Sequence, residues 1–326
     1  VRIVQSCKRR GVRRAAFTLV ELLAVIAIIG ILMALSAGAF FRVRVQQQES
    51  ATNVTLQKLQ SELDTQWKTV MDNANDDART RSISPSIISW AGNDDRRAKV
   101  VWSKILLRVE FPQTFFDATD PVNGFPAQMK ALNFNIPIKS SYFQATQGMT
   151  SAPVANPGYP QAHYESAALL YISLTQGRRG MKSFNPTEQV GPHAIGTVDL
   201  YGKQLNVFVD TWGTPIAFIR WPTSAAGSDL NDSSQPFQVF NTISGVKYSV
   251  DPQDPELTLN DPSWTNQSGF SKSIHALNPN GPLNLSPFVF SAGRDKDYGV
   301  DALYGNATAG ELDNLYGYRL RGVGRK

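Results

Sequence analysis

The sequence predicts an α+β fold. One long N-terminal helix crosses a membrane with its first half and buries one apolar face of its second, and a helical and irregular insertion separates it from a C-terminal antiparallel β-sheet. Three observations predict this. Residues 15–41 form an apolar run broken by one charge, Glu21. Beyond it, Leu56, Leu59, Leu63, Trp67, Val70 and Ala74 recur every three or four residues, which places them on one face of a helix. Near the C-terminus, apolar alternation flanks Asp210-Thr211-Trp212-Gly213 and returns in "PFVF" at residues 287–290, the period of strands.

The apolar run comes first. At roughly 1.5 Å of rise per residue it crosses a hydrocarbon core of about 30 Å as a single helix. The chain of 326 residues has a formal net charge of +5. Arg2, Lys8, Arg9, Arg10, Arg13 and Arg14 all lie before the run, and taking these six from +5 leaves −1. The basic character therefore belongs to the leader, and with no second basic tract the folded body is not read as a nucleic-acid binder. Cations ahead of an apolar span favour a cytoplasmic N-terminus and an exported body. Cys7, the only cysteine, lies in the leader, so the body has neither disulfides nor thiol chemistry.

Glu21 raises a question of energy, because a carboxylate at the centre of a span costs roughly 2.5–3.5 kcal/mol on the mildest scale. Three readings compete: a plain single-pass anchor, a secretory signal cut after Ala37-Gly38-Ala39, and a segment in which the carboxylate has a partner. The third is carried by a resemblance. "FTLVELLAVIAIIGIL", residues 17–32, closely resembles the N-terminus of type IV pilins and type II secretion pseudopilins. The resemblance implies cleavage by a prepilin peptidase between Ala16 and Phe17, methylation of the new amine, and retention of the helix. It also implies that Glu21 meets the N-terminal amine of a neighbouring subunit during assembly, and a buried charge is tolerable when paired. Two departures stand out. The family prefers glycine before the cut, where this chain has Ala16. Many type IV pilins carry a proline further along the helix, where this chain has Gly30 and Gly38, each costing about 1 kcal/mol against alanine in a helix interior.

The expected organisation is leader 1–16, transmembrane and assembly half-helix 17–41, soluble half-helix 42–75, insertion 76–200, and C-terminal β region 201–326, and the resemblance implies a pilin-like fold in which the soluble half-helix packs on the antiparallel sheet. Where the soluble half-helix meets the insertion, the Asn- and Asp-rich residues 72–86 are expected to break the long helix into a loop ended by Pro85. "RRAKVVWSKILLRVE", residues 96–110, reads as a second helix stopped by Pro112. Residues 111–160, rich in proline, glycine and aromatics, read as mostly irregular. "YESAALLYISLTQ", residues 164–176, reads as a third helix capped by Gly177. An insertion of this length is absent from the minimal major pseudopilin.

In the β region, "LNVFVDTWGTPIAFIRW" reads as a hairpin or a tight strand–turn–strand. It resembles the D-x-W-G-x-P element of major pseudopilins, with Trp212 expected in the core and Gly213 as a backbone requirement. "PFVFSAGRDKDYGVDALYGN" resembles their strand, S-x-G-x-D and acidic loop, which binds calcium. The resemblance implies Ca2+ held by Asp295, Asp297 and Asp301, with Glu311 and Asp313 closing the site from further along. Three carboxylates within seven residues suit a cation that takes six to eight oxygens at roughly 2.3–2.6 Å. The spacing is not that of an EF-hand.

No catalytic constellation is legible. His163, His193 and His275 are isolated. His163 and Glu165 give an H-x-E with no C-x-x-C after it. H-E-x-x-H, G-x-S-x-G and P-loop patterns are absent from the sequence. Residues 251–261 read as an acidic surface loop, and the sequons at Asn53, Asn231, Asn266 and Asn306 as chance occurrences in polar loops. The expected function is that of a structural subunit of a pilus or secretion pseudopilus, not an enzyme. Its partners are the prepilin peptidase, other pilin-like subunits, an inner-membrane assembly platform and membrane lipid. Two rivals stay open: a membrane-tethered monomeric binding protein with a prepilin-type leader, and a secreted enzyme with a cleaved signal.

Overall fold

The computed structural model describes residues 19–80, 83–119, 139–154, 158, 160–179, 183–221, 240–243, 246–249, 254, 256, 258–261, 263–264, 287–301 and 313–317. The chain divides into two compact units, Val1–Gln48 and Glu49–Lys326. The first helix, α1, runs Leu19–Arg79. In the first unit its apolar side chains from Leu19 to Val43 are exposed, and the helix is long and apolar enough to cross a membrane. Ala16 and Phe17 lie outside the described residues.

In the second unit all six side chains of the expected stripe, from Leu56 to Ala74, are buried. Five of them join one apolar core with residues of the insertion and of the strands. The helix does not break at Asp72, as the Asn/Asp composition predicted, but continues to Arg79. Tertiary contacts override the weak local preference. The Trp102 indole N–H donates to Asp77 at 3.1 Å, Asn73 donates to the Arg179 carbonyl at 3.2 Å, and Ala78 packs on the core.

The insertion is more helical than expected. A short helix α2, Pro85–Trp90, precedes α3, Asp95–Glu110, which the Asp94 carboxylate caps by accepting from the Arg96 and Arg97 amides. Within the stretch read as irregular lie α4, Phe115–Thr119, and α5, Ser140–Thr146. Next, α6 runs Gln161–Thr175 and starts earlier than predicted, directly after Pro160. Its end also differs. Gln176 leaves the helix in an extended conformation (φ −74°, ψ 143°), so Gly177 supplies no left-handed cap. One more turn, α7, spans Pro186–Gln189.

Strands β1, Ile195–Leu200, and β2, Lys203–Phe208, form an antiparallel hairpin around Tyr201-Gly202. Across Asp210–Gly213 the chain makes the expected tight strand–turn–strand, without a paired two-strand ladder beyond the turn. Its second arm, β3 (Ala217–Ile219), pairs instead with the later strand β6 (Phe288–Ser291), which pairs in turn with β7 (Leu315–Tyr316), all antiparallel. The turn itself is closed by the antiparallel bridge of Val209 to Pro215, the Ile216 amide on the Phe208 carbonyl, the Asp210 amide on the Thr214 carbonyl and the Gly213 amide on the Asp210 carbonyl. A separate antiparallel pair joins β4, Phe240–Ile243, and β5, Val246–Ser249. The second half of α1 lies on this β region. The Gln60 amide donates to the Pro287 carbonyl and accepts from the Val289 amide, both at 2.9 Å, and so completes hydrogen bonding that the short β7 leaves open.

The described residues of the acidic stretch 251–261, which are 254, 256 and 258–261, are not the free surface loop their acidity predicted. Asp254 is buried and accepts from the Thr258 and Leu259 amides. The Arg97 guanidinium donates to the Thr258 carbonyl, the Ala91 carbonyl and the Asp261 carboxylate. Trp264 packs edge-on against Trp90. The segment is thereby clasped to α2 and α3.

Candidate functional site

Two regions carry the residues singled out by the sequence. The first is the apolar half of α1. Glu21 stands among the first described residues of α1. The side chain is exposed within this monomer, as are its apolar neighbours Leu19, Val20, Leu22 and Leu23. A surface of this kind is stable only in lipid or against other chains.

The second region is built where the two C-terminal motifs meet. The Asp210 carboxylate is buried. One oxygen accepts from the Trp212 amide at 2.9 Å and the Thr214 amide at 2.8 Å, which shapes the turn. The other accepts the Ser291 hydroxyl at 2.6 Å, and Ser291 Oγ accepts the Gly293 amide at 3.1 Å. Burial pushes the Asp210 carboxyl above the ordinary aspartate range, against the pull of Ser291 and the turn amides. Gly213 has φ +80°, as its expected backbone role requires. Trp212 is half-buried and not part of the core, contrary to expectation. Its place is explained by the turn, which also receives the Thr52 hydroxyl of α1 at Thr211 Oγ1, 2.8 Å away.

From Gly293 the acidic loop begins. Gly293 has φ +75°, and a Cβ there would stand 2.3 Å from the Asp313 carbonyl oxygen. The loop therefore passes Asp313 at a separation only glycine permits. One Asp313 oxygen accepts the Arg294 and Asp295 amides at 2.9 and 3.1 Å, and its other oxygen is buried without a hydrogen-bond partner among the described residues. Asp295 accepts the Asp297 amide at 2.8 Å, and Asp297 accepts the Gly299 amide at 3.2 Å. The Asp295 carboxyl is held above the ordinary range by desolvation first, with the charges of Asp313 and Asp297 adding to it against the Asp297 amide.

Of the four predicted ligands, the structure brings Asp295 and Asp313 together. It leaves Asp297 exposed and Asp301 half-buried on the same loop. Among the described residues no group of three or more His, Cys, Asp or Glu side chains is gathered closely enough to hold a metal ion. Glu311 lies outside them.

The loop is fastened from the insertion side by a residue that sequence reading left idle. His163 on α6 is buried, its Nε2 is 2.9 Å from the Val300 carbonyl, and its ring stacks on Tyr298 at 4.1 Å. Burial pulls the imidazole down to about 4, against the Val300 carbonyl and the charges of Asp301 and Asp297. The Tyr298 hydroxyl donates to the Pro215 carbonyl at 2.5 Å. His163, Tyr298 and Pro215 thus tie α6, the acidic loop and the D-T-W-G turn into one assembly. No local pattern foretells these contacts, since His163 and Val300 are far apart in sequence. Of the other histidines, His193 is exposed and His275 lies outside the described residues. Asn53 stands in α1, not in a polar loop, while Asn231, Asn266 and Asn306 lie outside the described residues.

Residues 12–37 match the family described as the prokaryotic N-terminal methylation motif, the hallmark of the prepilin-type leaders of type IV pilins and pseudopilins. No curated protein and no solved structure matches the chain. The N-terminal segment is thus of prepilin type, a target for prepilin peptidase, and it precedes an α+β body of small antiparallel sheets and helices.

Proposed function

We propose that this chain is a structural subunit of a type IV pilus-like or type II secretion pseudopilus filament, and a substrate of enzymes rather than an enzyme. Prepilin peptidase cuts between Ala16 and Phe17, the new amine is methylated, and the apolar half of α1 holds the subunit in the inner membrane, N-terminus inward, until an assembly platform extracts it. Glu21 then pairs with the amine of Phe17 in a neighbouring subunit. The observation that carries this reading is the methylation motif over residues 12–37 joined to an apolar helix whose side chains stand exposed within the monomer. Lipid covers that surface before assembly, and sister helices cover it afterwards.

The test has two parts. Mass-spectrometric sequencing of membrane-extracted protein is expected to give an N-methylated Phe17. A chain starting at Phe40, or one keeping residues before Phe17, refutes processing by this route. Glu21→Leu is expected to insert normally and to lose filament incorporation. Normal filament yield from that variant favours the monomeric tethered protein.

We further propose that the acidic loop takes Ca2+ between Asp295 and Asp313, with Asp297 and Asp301 as the remaining carboxylates. Two neighbouring carboxyl groups, one of them with a buried oxygen that has no hydrogen-bond partner among the described residues, suit a hard cation with oxygen ligands. The residues fit a partial site, which the cation would have to complete by drawing Asp297 or Asp301 inward. When bound it supplies charge neutralisation and a tie from the loop to β7.

A further inference from the structure

Among the described residues of the first unit, only Glu21, Arg42 and Arg44 are charged, and the next charged side chain is Glu49 in the second unit. Arg42 follows Glu21 by 21 residues of uninterrupted helix, which is about 32 Å at the α-helical rise. That length matches a hydrocarbon core of roughly 30 Å. The match is to the spacing between the charges, with Phe40 and Phe41 exposed just inside the far boundary. Arg42 and Arg44 are exposed. Being two residues apart, they leave the helix about 200° from each other, so cations stand on both sides of the helix at one level. An arginine stem lies along apolar surface while its guanidinium reaches outward, and that planar fork suits phosphate oxygens.

We infer that Arg42 and Arg44 bind lipid phosphates of the leaflet at the C-terminal end of the span, and that this contact sets the register of α1 in the bilayer. With Arg42 at one boundary, Glu21 lies at the other. Its carboxylate then stays within reach of water and headgroups in the resting subunit, and the cost of burying it falls due only when the helix shifts. The inference rests on α1 spanning a bilayer and not on filament assembly, so it stands or falls independently of that role.

The experiment uses the full chain with Cys7→Ser, reconstituted in phosphatidylglycerol–phosphatidylethanolamine vesicles. It carries an environment-sensitive fluorophore on a single cysteine at Val45→Cys or at Val20→Cys, quenched by lipids brominated along the acyl chain. Arg42→Gln with Arg44→Gln is expected to raise quenching at position 45 at least threefold and to lower it at position 20, because the helix slides. Unchanged quenching at position 45 overturns the proposal, and a rise at both positions is a tilt and overturns the register. The chain with both arginines, in phosphate-free galactolipid vesicles, gives a second reading without the arginine substitutions. There, quenching at position 45 is expected to rise toward that of the glutamine variant. Equal quenching in the two lipids means that the arginines seek water and not phosphate, and overturns the assignment.

Discussion

Replacing Asp210 tests whether the two C-terminal motifs form one built unit. Asp210→Ala leaves the buried Thr214 amide without an acceptor and takes the acceptor from the Ser291 hydroxyl. Two buried donors stranded at about 1–3 kcal/mol each give about 4 kcal/mol. The Trp212 amide is only part-buried and turns to water at a cost of about 0.5 kcal/mol. Removing a carboxylate that burial already disfavours returns about 1 kcal/mol. The net expectation is a loss of about 3.5 kcal/mol of stability. Asp210→Asn behaves differently. Its carbonyl oxygen keeps both turn amides and its amide nitrogen donates to Ser291 Oγ, so only the Ser291 hydroxyl proton loses its acceptor and the loss is about 1–2 kcal/mol. The raised carboxyl pKa sharpens the contrast. A folded-state pKa above the unfolded value gives stability that is present at low pH and lost as pH rises through the folded value. At neutral pH the charged form therefore carries a penalty that asparagine lacks. Equilibrium urea unfolding of the full chain in detergent micelles, followed by tryptophan fluorescence, measures all three proteins. Alanine within 1 kcal/mol of the parent, or asparagine as damaging as alanine, refutes the account of Asp210 as a linchpin.

Gly293→Ala is expected to lose more than about 2 kcal/mol, because a positive φ and a backbone oxygen both oppose a Cβ there. Gly213→Ala, also at positive φ but in open space, should lose only about 1–2 kcal/mol; the same urea titration separates them, and equal losses exclude the close approach to Asp313. For His163, a folded-state pKa of about 4 against an ordinary 6.5 means that the unfolded chain binds the extra proton first. Stability should be fully present above pH 6.5 and fall by roughly 3 kcal/mol as pH drops toward 4. Urea unfolding across that range in chelator checks this, and His163→Gln should flatten the profile. For calcium, thermal unfolding in millimolar Ca2+ against chelator should show a raised Tm through binding linkage, lost in Asp295→Asn with Asp313→Asn. An unchanged Tm and no calorimetric heat remove the site.

What the sequence revealed of this molecule divides along the two units. The apolar half of α1 is legible residue by residue because its chemistry is local. Run length, the leader cations and one acid in an apolar helix are properties of a short window, and the methylation motif occupies that same window. The buried stripe from Leu56 to Ala74 is legible for the same reason, since helical periodicity is a local record of burial. The misreadings fall where long-range contacts decide. Asp72 did not end α1 because Trp102 and Arg179 hold its last turns. Past the tight turn, β3 takes its ladder partner from Phe288–Ser291, about 70 residues further along, which no local pattern records.

The acidic loop shows why a motif can be legible while its geometry is not. Ser291-Ala292-Gly293 and Asp210-Thr211-Trp212-Gly213 are each recognisable as strings, yet what each residue does is settled by the other string. Ser291 is a hydroxyl placed to satisfy Asp210, 81 residues away, and Gly293 is a glycine because Asp313 passes beneath it. His163 belongs to the same class, being a buried ring in the insertion that stacks on Tyr298. The insertion therefore does more than decorate the β region: α6 supplies the wall against which the acidic loop is held. Shortening it to the minimal form of the resembled family would remove that wall. A ring of comparable shape would then be needed against Tyr298 to keep Asp295 and Asp313 neighbours.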